Sequence, residues 1–308
     1  MLDQTPNRVD EAAELARIDL EAISDGGQSD EAGVYQRKKL GWFFWFCVTW
    51  LTAIVLAAIF ADFLPLKDPD QTFSGTFKEG PSSEHWFGND NIGKDVFSRT
   101  IFGARRSLGV AVTAQLIGFT IGGTLGLIAG YYRNRIEGVL TGGIDVLLAF
   151  PALILLLALV SIFEVRDLFV ISLVIGVLSI PLYTRVARAN ALAVSNREFV
   201  TAARAIGTKP TRIMFREIVP NVAPTIFAYA MVAAAAVIVV EGSLSFLGLS
   251  VQLPTSSWGN MINQARRDIK VDVWQVVWPS LVLTVTVLSL NQVGDFFQRR
   301  SAVRGSSL

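Results

Sequence analysis

The chain has 308 residues, of which 52% are hydrophobic and 17% are charged, and its mean hydropathy is +0.47. Soluble domains carry about a quarter charged residues, so this composition predicts a membrane protein. The formal net charge of +1 gives no electrostatic reason to expect a nucleic-acid partner. A single cysteine, Cys47, and a single histidine, His85, exclude a disulfide framework and a metal site made from several Cys or His ligands.

Residues 1–41 are predicted to form an acidic cytoplasmic tail. Residues 1–36 contain nine acidic residues, and the basic residues among them are Arg8 and Arg17. A cleavable signal peptide begins basic and then becomes apolar, so this segment does not have the pattern of one. A basic cluster at residues 37–39 then precedes the first apolar segment, which places the N-terminus in the cytoplasm under the positive-inside rule.

Six apolar segments follow the tail, and we expect an all-α membrane protein in which residues 42–297 form a six-helix transmembrane domain. The segments are residues 42–60, 108–128, 144–163, 168–183, 223–240 and 276–290. A helix needs about 20 residues to cross a hydrocarbon core. The segments at 168–183 and 276–290 are shorter, so they must continue as helix into the interface or pack among other helices. Six crossings are predicted, or five if one of the short segments is re-entrant.

The distribution of lysine and arginine sets the predicted orientation. With six spans, 17 of the 27 basic residues fall in the segments assigned to the inside. The inside segments include a loop at 187–220 and a C-terminal tail at 298–308, and the outside segments include loops at 65–106 and 241–273. Both termini are therefore expected in the cytoplasm.

The second span carries glycine at an interval of four residues. Gly118, Gly122, Gly126 and Gly130 share this spacing, and Gly123 lies beside them. The spacing places four glycines on one helix face, where another helix can approach closely. The pattern favours tight helix packing over a ligand-binding role.

Residues 88–95 match the phosphate-loop pattern except at the last position, but the segment is not expected to bind a nucleotide. Asp95 stands where a Ser or Thr hydroxyl would hold magnesium, and no apolar strand precedes the glycines. The lone His85 has no obvious nucleophile near it, so a structural hydrogen bond is its expected role. The sequence predicts no catalytic residues, no metal ligands and no cofactor bound by the chain itself.

The loop between the fourth and fifth spans carries the most informative pattern. Phe199, Ala202, Ala203 and Ile206 have the spacing of one apolar helix face. Gly207 is suited to end that helix in a left-handed conformation. From the pattern alone, a helix that docks on a soluble partner and a helix that rests on lipid head groups are equally favoured.

Three blocks of residues together resemble one protein family. The loop resembles the Glu-Ala-Ala coupling motif of ABC importer permeases, with Ala202-Ala203 followed by Gly207 and then by Pro220. Residues 85–108 and 241–259 resemble segments of the C-type permeases of dipeptide, oligopeptide and nickel importers. The matching positions are His85, Gly88, Asp90, Gly93, Asp95, Ser98, Arg99, Gly103, Arg105, Ser107, Leu108, Glu241, Ser243, Ser245, Phe246, Leu247, Gly248, Leu249, Pro254, Ser257, Trp258 and Gly259. The resemblance covers about residues 43–295.

The resemblance implies a type I ABC importer permease fold in a subunit that hydrolyses nothing itself. A second, homologous permease would complete the translocation path, and two ATPases carrying ATP and magnesium would bind the cytoplasmic loops. An extracytoplasmic substrate-binding protein would dock outside, and the complex would lie in the bacterial inner or plasma membrane. The residues implied in ATPase coupling are Glu198, Phe199, Thr201, Ala202, Ala203, Arg204, Gly207 and Pro220.

Dipeptides or oligopeptides are the expected cargo of such a permease. Nickel or another small solute is an alternative cargo for an ABC permease. A secondary transporter that works without an ATPase is an alternative from another class. Secondary transporters often contain internal repeats, and the sequence shows no such repeat.

Polar residues within or beside spans are the candidates for the substrate path. Glu241 ranks first because it neighbours Ser243 and Ser245 at the outer end of the fifth span, and Asn291 is a further candidate. Capping and snorkelling are the commoner roles of polar residues at span ends.

The chain departs from the family pattern at three places. Thr201 stands where the coupling motif usually has glutamate, so that position lacks the carboxylate for a salt bridge to the ATPase. Lys94 replaces a common arginine. Residues 296–298, which follow Gly294-Asp295, read Phe-Phe-Gln in place of the usual Leu-Arg-Asp.

Overall fold

A computed structural model of the chain describes residues 41–72, 77, 79–133, 135–163, 167–249 and 256–306. The predicted acidic tail at 1–41 therefore lies outside the described residues, apart from Gly41. Within the described ranges the chain is helical apart from one long connection, between Phe63 and Val96, and shorter connections elsewhere; Asn89 and Asp95 form an isolated β-bridge in the long one. The predicted all-α class is confirmed.

The described residues contain eleven α-helices. They are α1 (Trp42–Ile59), α2 (Val96–Ile117), α3 (Gly123–Tyr132), α4 (Arg135–Ala149), α5 (Ala152–Ile162), α6 (Leu168–Ser195), α7 (Glu198–Ala205), α8 (Pro210–Ile213), α9 (Val219–Phe246), α10 (Trp258–Ala265) and α11 (Trp274–Ser306). Two π-helical turns, Gly118–Gly122 and Met214–Ile218, join α2 to α3 and α8 to α9. Short 3₁₀ turns at Ala61–Phe63 and Arg266–Asp268 follow α1 and α10.

Among the described residues, five continuous helical segments are long and apolar enough to cross a membrane. They are Trp42–Ile59, Val96–Tyr132, Leu168–Ser195, Pro210–Phe246 and Trp274–Arg300. A sixth crossing would come from Glu137–Ala149 together with Ala152–Ile162, which meet at an angle of 89°. The two short apolar segments of the sequence do continue as helix, to Ser195 and Ser306, as predicted.

The bend corrects the prediction for residues 144–163, which have the composition of a straight span. Pro151, with φ −57° and ψ 119°, separates α4 from α5. Proline has no N–H to donate and disfavours helical geometry at the residue before it, so the helix breaks at Phe150. Hydropathy hides this break because the residues on both sides of it are apolar.

At three of the predicted boundaries a helix runs further than the apolar segment. The predicted loop at 187–220 contains the end of α6 as well as α7 and α8, and the predicted outer loop at 241–273 begins inside α9. The predicted tail at 298–308 begins inside α11. Polar residues can extend a helix beyond the hydrocarbon core, so the limits of hydropathy are not the limits of the helix.

The glycines spaced by four face α6, as their spacing predicts. An added Cβ would lie 2.5 Å from the Ile180 carbonyl oxygen at Gly122, and 2.7 Å from Ala191 Cβ at Gly130. At Gly123, beside this face, an added Cβ would have nothing within 4 Å. The close approach of α3 to α6 therefore depends on the absence of side chains at one set of positions.

We expect Gly130→Ala to destabilise the protein and Gly123→Ala to leave its stability unchanged. Overpacking a close helix contact costs about 1–3 kcal/mol, because backbones must move apart. Thermal unfolding in detergent, followed by tryptophan fluorescence, should show a lower midpoint for Gly130→Ala alone. Equal midpoints for the two variants would contradict the close packing of α3 on α6.

Candidate functional site

The loop after α6 folds into the short helix α7. Glu198 lies in its first turn and Arg204 in its last turn, where a negative and a positive charge suit the helix dipole. The guanidinium carbon of Arg204 also lies 5.2 Å from the centre of the Tyr131 ring, a cation–π contact that joins α7 to the end of α3. Helix α7 is therefore held at a defined place on the bundle.

Gly207 ends α7 in the left-handed conformation that its position predicts, with φ of 77°. Its N–H donates to the carbonyl of Arg204 at 3.0 Å, and the N–H of Thr208 donates to the carbonyl of Ala203 at 3.1 Å. These two bonds form a Schellman motif. The motif fixes the direction in which the chain leaves the helix.

Val200 is the buried residue of α7. Its side chain is 0% exposed and belongs to a cluster with Ile213, Ile218 and apolar residues of α6 and α9. Phe199 and Ala203 are half-buried against the same cluster. A movement of α7 would therefore press on both α6 and α9.

The four residues of the predicted apolar face divide between two sides of α7. Phe199 and Ala203 are half-buried, whereas Ala202 is exposed and Ile206, just past the helix, is 82% exposed. A helix of eight residues is too short for the spacing of its apolar residues to show which side is buried. The packing of Val200 determines the buried side. The exposed residues Thr201, Ala202 and Ile206 form what we call the docking face. It is small, and Ala202 and Ile206 make it largely apolar.

Pro220 lies in the first turn of α9, directly after the π-helical turn at Met214–Ile218. Proline has no N–H for the carbonyl four residues before it, which favours a widened turn at this place. The side chain of the next residue, Asn221, donates to the carbonyl of Glu217 at 2.6 Å. Helices α8 and α9 therefore form one continuous span that starts beside α7.

The four predicted substrate-path residues lie on α9 and α11. Glu241 and Ser245 are 0% and 3% exposed, and the Ser245 hydroxyl donates to the Glu241 carboxylate at 2.9 Å. Ser243 is exposed, and its hydroxyl donates to the carbonyl of Val239 at 2.8 Å. Asn291 is half-buried on α11. The structure thus brings Glu241 and Ser245 together, and contact with substrate stays a prediction.

The segment that resembles a phosphate loop is a turn whose charged side chains bind neighbouring residues of the protein. His85 Nδ1 lies 2.8 Å from Asp95 Oδ1, and both side chains are buried. The other Asp95 oxygen accepts from the N–H of Ser98 at 2.8 Å and caps α2. Lys94 pairs with Asp70 at 3.0 Å. Lys94 and Asp95 thus stabilise the turn, and the expected structural hydrogen bond of His85 is confirmed.

We expect Asp95→Ala to destabilise the protein more than Asp95→Asn does. Alanine removes both the N-cap and the partner of His85, whereas asparagine is a good N-cap and keeps an acceptor. Loss of the cap costs about 1 kcal/mol, and an unsatisfied buried group adds about 1–3 kcal/mol. Thermal unfolding in detergent measures both variants. Asp62→Ala, which breaks an exposed pair with Arg105, is the control, and an equal midpoint for Asp95→Ala would contradict this role.

Comparison with known proteins decides the family. Residues 122–304 match the family described as "Binding-protein-dependent transport system inner membrane component". This range contains α7 with its docking face and all of α9. The chain belongs to this family. The permease is therefore a multi-pass membrane protein, and its family works with a partner permease, ATPases and a binding protein.

Relatives of known function are similar over most of their length. The dipeptide transport system permease protein of Alkalihalophilus pseudofirmus is 38% identical over 248 residues, which is 80% of each chain. The glutathione transport system permease protein of Pectobacterium atrosepticum is 36% identical over 243 residues, or 79% of the permease and 80% of that relative. The chain is thus an ABC importer permease of the peptide and nickel family, a transport subunit rather than an enzyme. The alternative of a secondary transporter is excluded.

The fold is similar to that of a solved transporter. The MetNI methionine ABC transporter in an inward-facing conformation matches with a TM-score of 0.55 and 16% identity, over 66% of the permease and 96% of that chain. A second crystal form matches with a TM-score of 0.53. At this identity the likeness concerns the fold alone, and it confirms the predicted type I ABC importer permease fold.

Proposed function

We propose that the permease forms, with a second homologous permease, the translocation path of an ATP-driven importer for peptides. Its relatives at 38% and 36% identity are permeases for dipeptides and for glutathione, which is itself a short peptide. Nickel or another small solute is the alternative cargo. An extracytoplasmic binding protein would select the cargo and deliver it to the path.

The observation that carries the proposal is the docking face on α7. Val200 fixes the inner side of the helix, and the Schellman motif at Gly207 fixes its end. Thr201, Ala202 and Ile206 stay exposed on the other side. Because the helix is held rigidly, a partner that binds this small apolar surface could transmit its own movement to the permease. Two ATPases, which bind ATP and magnesium, would hold this helix and its counterpart in the second permease.

Movement would pass from α7 to the spans through the cluster around Val200. That cluster includes Ala187 and Ala191 of α6 and Val222 and Ile226 of α9. Closure of the ATPases on ATP would shift α7, and α6 and α9 would follow it between outward-open and inward-open states. The ATPases must contact the two states differently, since a ligand shifts an equilibrium only by its differential affinity.

We place α7 and both termini in the cytoplasm, and the predicted loops at 65–106 and 241–273 outside the inner or plasma membrane. The 17 of 27 basic residues in the inside segments support this orientation. Single cysteines test it after Cys47 is replaced by alanine. A cysteine at Trp86, which is 64% exposed, should react with a membrane-impermeant maleimide in intact cells, and one at Ile206 should not. The reverse labelling would overturn the orientation.

Uptake by the complete importer in proteoliposomes tests the function. Accumulation of a labelled dipeptide should require the binding protein outside and ATP on the side of α7, and it should survive collapse of the proton gradient. Uptake of nickel without uptake of peptides would support the alternative cargo. Peptide uptake that proceeds without ATP would contradict coupling through the docking face.

A further inference from the structure

The short helix α10 is inserted between α2 and α9. Its first residue, Trp258, is fully buried, and the indole N–H donates to the carbonyl of Thr100 on α2 at 2.9 Å. At Gly259 an added Cβ would lie 2.6 Å from Gly242 Cα and 2.8 Å from Ser245 Cβ. The backbone of α10 therefore contacts α9 directly, with no room for a side chain between them.

A buried carboxylate lies where these three helices meet. Glu241 on α9 is 0% exposed. Its Oε1 accepts the Ser257 hydroxyl at 2.8 Å and the Ser245 hydroxyl at 2.9 Å, and its Oε2 accepts the Ser107 hydroxyl at 3.3 Å. Ser257 directly precedes α10 and Ser107 lies on α2. One side chain thus joins three separate helices.

The serine hydroxyls around Glu241 donate to its carboxylate and accept from backbone N–H groups. The Ser257 oxygen accepts from the N–H of Asn260 at 3.2 Å as the N-cap of α10, and the Ser107 oxygen accepts from the N–H of Trp258 at 3.2 Å. Each hydroxyl has one proton, which is then directed to the carboxylate. Ser257 and Ser107 thus each use both the donor and the acceptor of the hydroxyl group in this network. Burial of a polar side chain is tolerated where such hydrogen bonds replace those to water.

We propose that Glu241 is a positioning residue that fixes α10 to α2 and α9, so that the outer end of the bundle moves as one body with these two spans. The inference rests on the proposed function, because α10 follows the outer end of α9, where the binding protein would dock. Ile269 and Val271, which follow α10 and its 3₁₀ turn, are 46% and 73% exposed. A binding protein that contacts them would act on both spans through the network. This role is an alternative to the predicted contact of Glu241 with substrate, which stays a prediction.

The test compares wild type with Glu241→Gln in the complete importer. Glutamine has nearly the same size but adds an N–H₂ donor opposite the serine protons, so it breaks the network. We expect basal ATP hydrolysis within about twofold of wild type, and stimulation by saturating binding protein lowered about fivefold or more. Ser161→Ala is the control, because Ser161 is an exposed serine on α5 whose hydroxyl donates to the carbonyl of Ala158 in the same helix, at 2.8 Å. It should keep the stimulation of wild type.

A change at Ser257 and a second measurement separate positioning from general damage. Ser257→Ala should lower the stimulation in the same way, because it removes the hydroxyl that donates to Glu241 and caps α10. Hydrogen–deuterium exchange of residues 256–265 should rise in Glu241→Gln and in Ser257→Ala, with the exchange of α7 unchanged. This exchange reports on α10 directly and needs neither ATPase nor binding protein.

Wild-type stimulation together with wild-type exchange of α10 in Glu241→Gln would overturn the inference. A raised KM for the cargo with unchanged stimulation would also overturn it, because that result identifies Glu241 as a substrate contact. If the wild-type importer itself shows no stimulation by its binding protein, the proposed function fails. Exchange of α10 in the permease alone then still decides whether Glu241 positions that helix.

Discussion

Replacing Gly207 with proline is expected to lower uptake about tenfold or more while the partner ATPases continue to hydrolyse ATP. Gly207 has φ of 77°, and its N–H donates to the carbonyl of Arg204. Proline holds φ near −65° and has no N–H, so α7 cannot end where it does in the wild-type chain. The docking face would then meet the ATPase in the wrong orientation. Uptake and ATP hydrolysis measured in the same proteoliposomes give the ratio of transport to hydrolysis.

Gly207→Asn is the matched control for this prediction. Asparagine adopts the left-handed conformation more readily than other residues with a side chain, and it keeps the N–H. This variant should retain most of the uptake. Normal uptake by Gly207→Pro would contradict the coupling role of α7, and equal loss in both variants would indicate a need for glycine itself at the contact.

Replacing Ile206 with aspartate is expected to release the ATPases without destabilising the permease. Ile206 is 82% exposed, so its change should leave the thermal midpoint of the isolated permease within error of wild type. A carboxylate placed in an apolar contact loses its water without gaining a partner. We expect the amount of ATPase retained on the tagged permease to fall about tenfold or more, as for a central interface residue.

Ile92→Asp is the control for the change at Ile206. Ile92 is also an exposed isoleucine, at 45%, but it lies in the turn that precedes α2 on the proposed outer side. This variant carries the same new charge and should retain the ATPases. If Ile206→Asp retains as much ATPase as Ile92→Asp does, the docking face has been placed on the wrong surface.

The sequence predicts the spans well because each is a long run of apolar side chains. It also predicts the face on which α3 meets α6, since glycines at an interval of four leave one helix face bare. It does not predict the bend at Pro151, because hydropathy is equally high on both sides of that residue. A proline inside an apolar run is the signal that could have located the break.

The sequence predicts those features of the candidate site that depend on neighbouring residues in the chain. The end of α7 follows from Gly207, since glycine readily adopts the left-handed conformation that closes a helix. The buried side of α7 does not follow from its eight residues, because α6 and α9 decide that Val200 is enclosed. Likewise, Glu241 meets Ser107 across a separation of 134 residues. A polar residue beside a span can be recognised in sequence, but partners so far away cannot.

Photocrosslinking from Ala202 tests the central claim most directly. A photoreactive amino acid at this position of the tagged permease would be irradiated in intact cells, and its crosslinked partners would be identified by mass spectrometry after purification in mild detergent. The account predicts an ATPase as the crosslinked protein, with a second permease in the same preparation. Crosslinks to lipid alone, with the permease recovered by itself in several detergents, would contradict the assignment of α7 as the coupling helix.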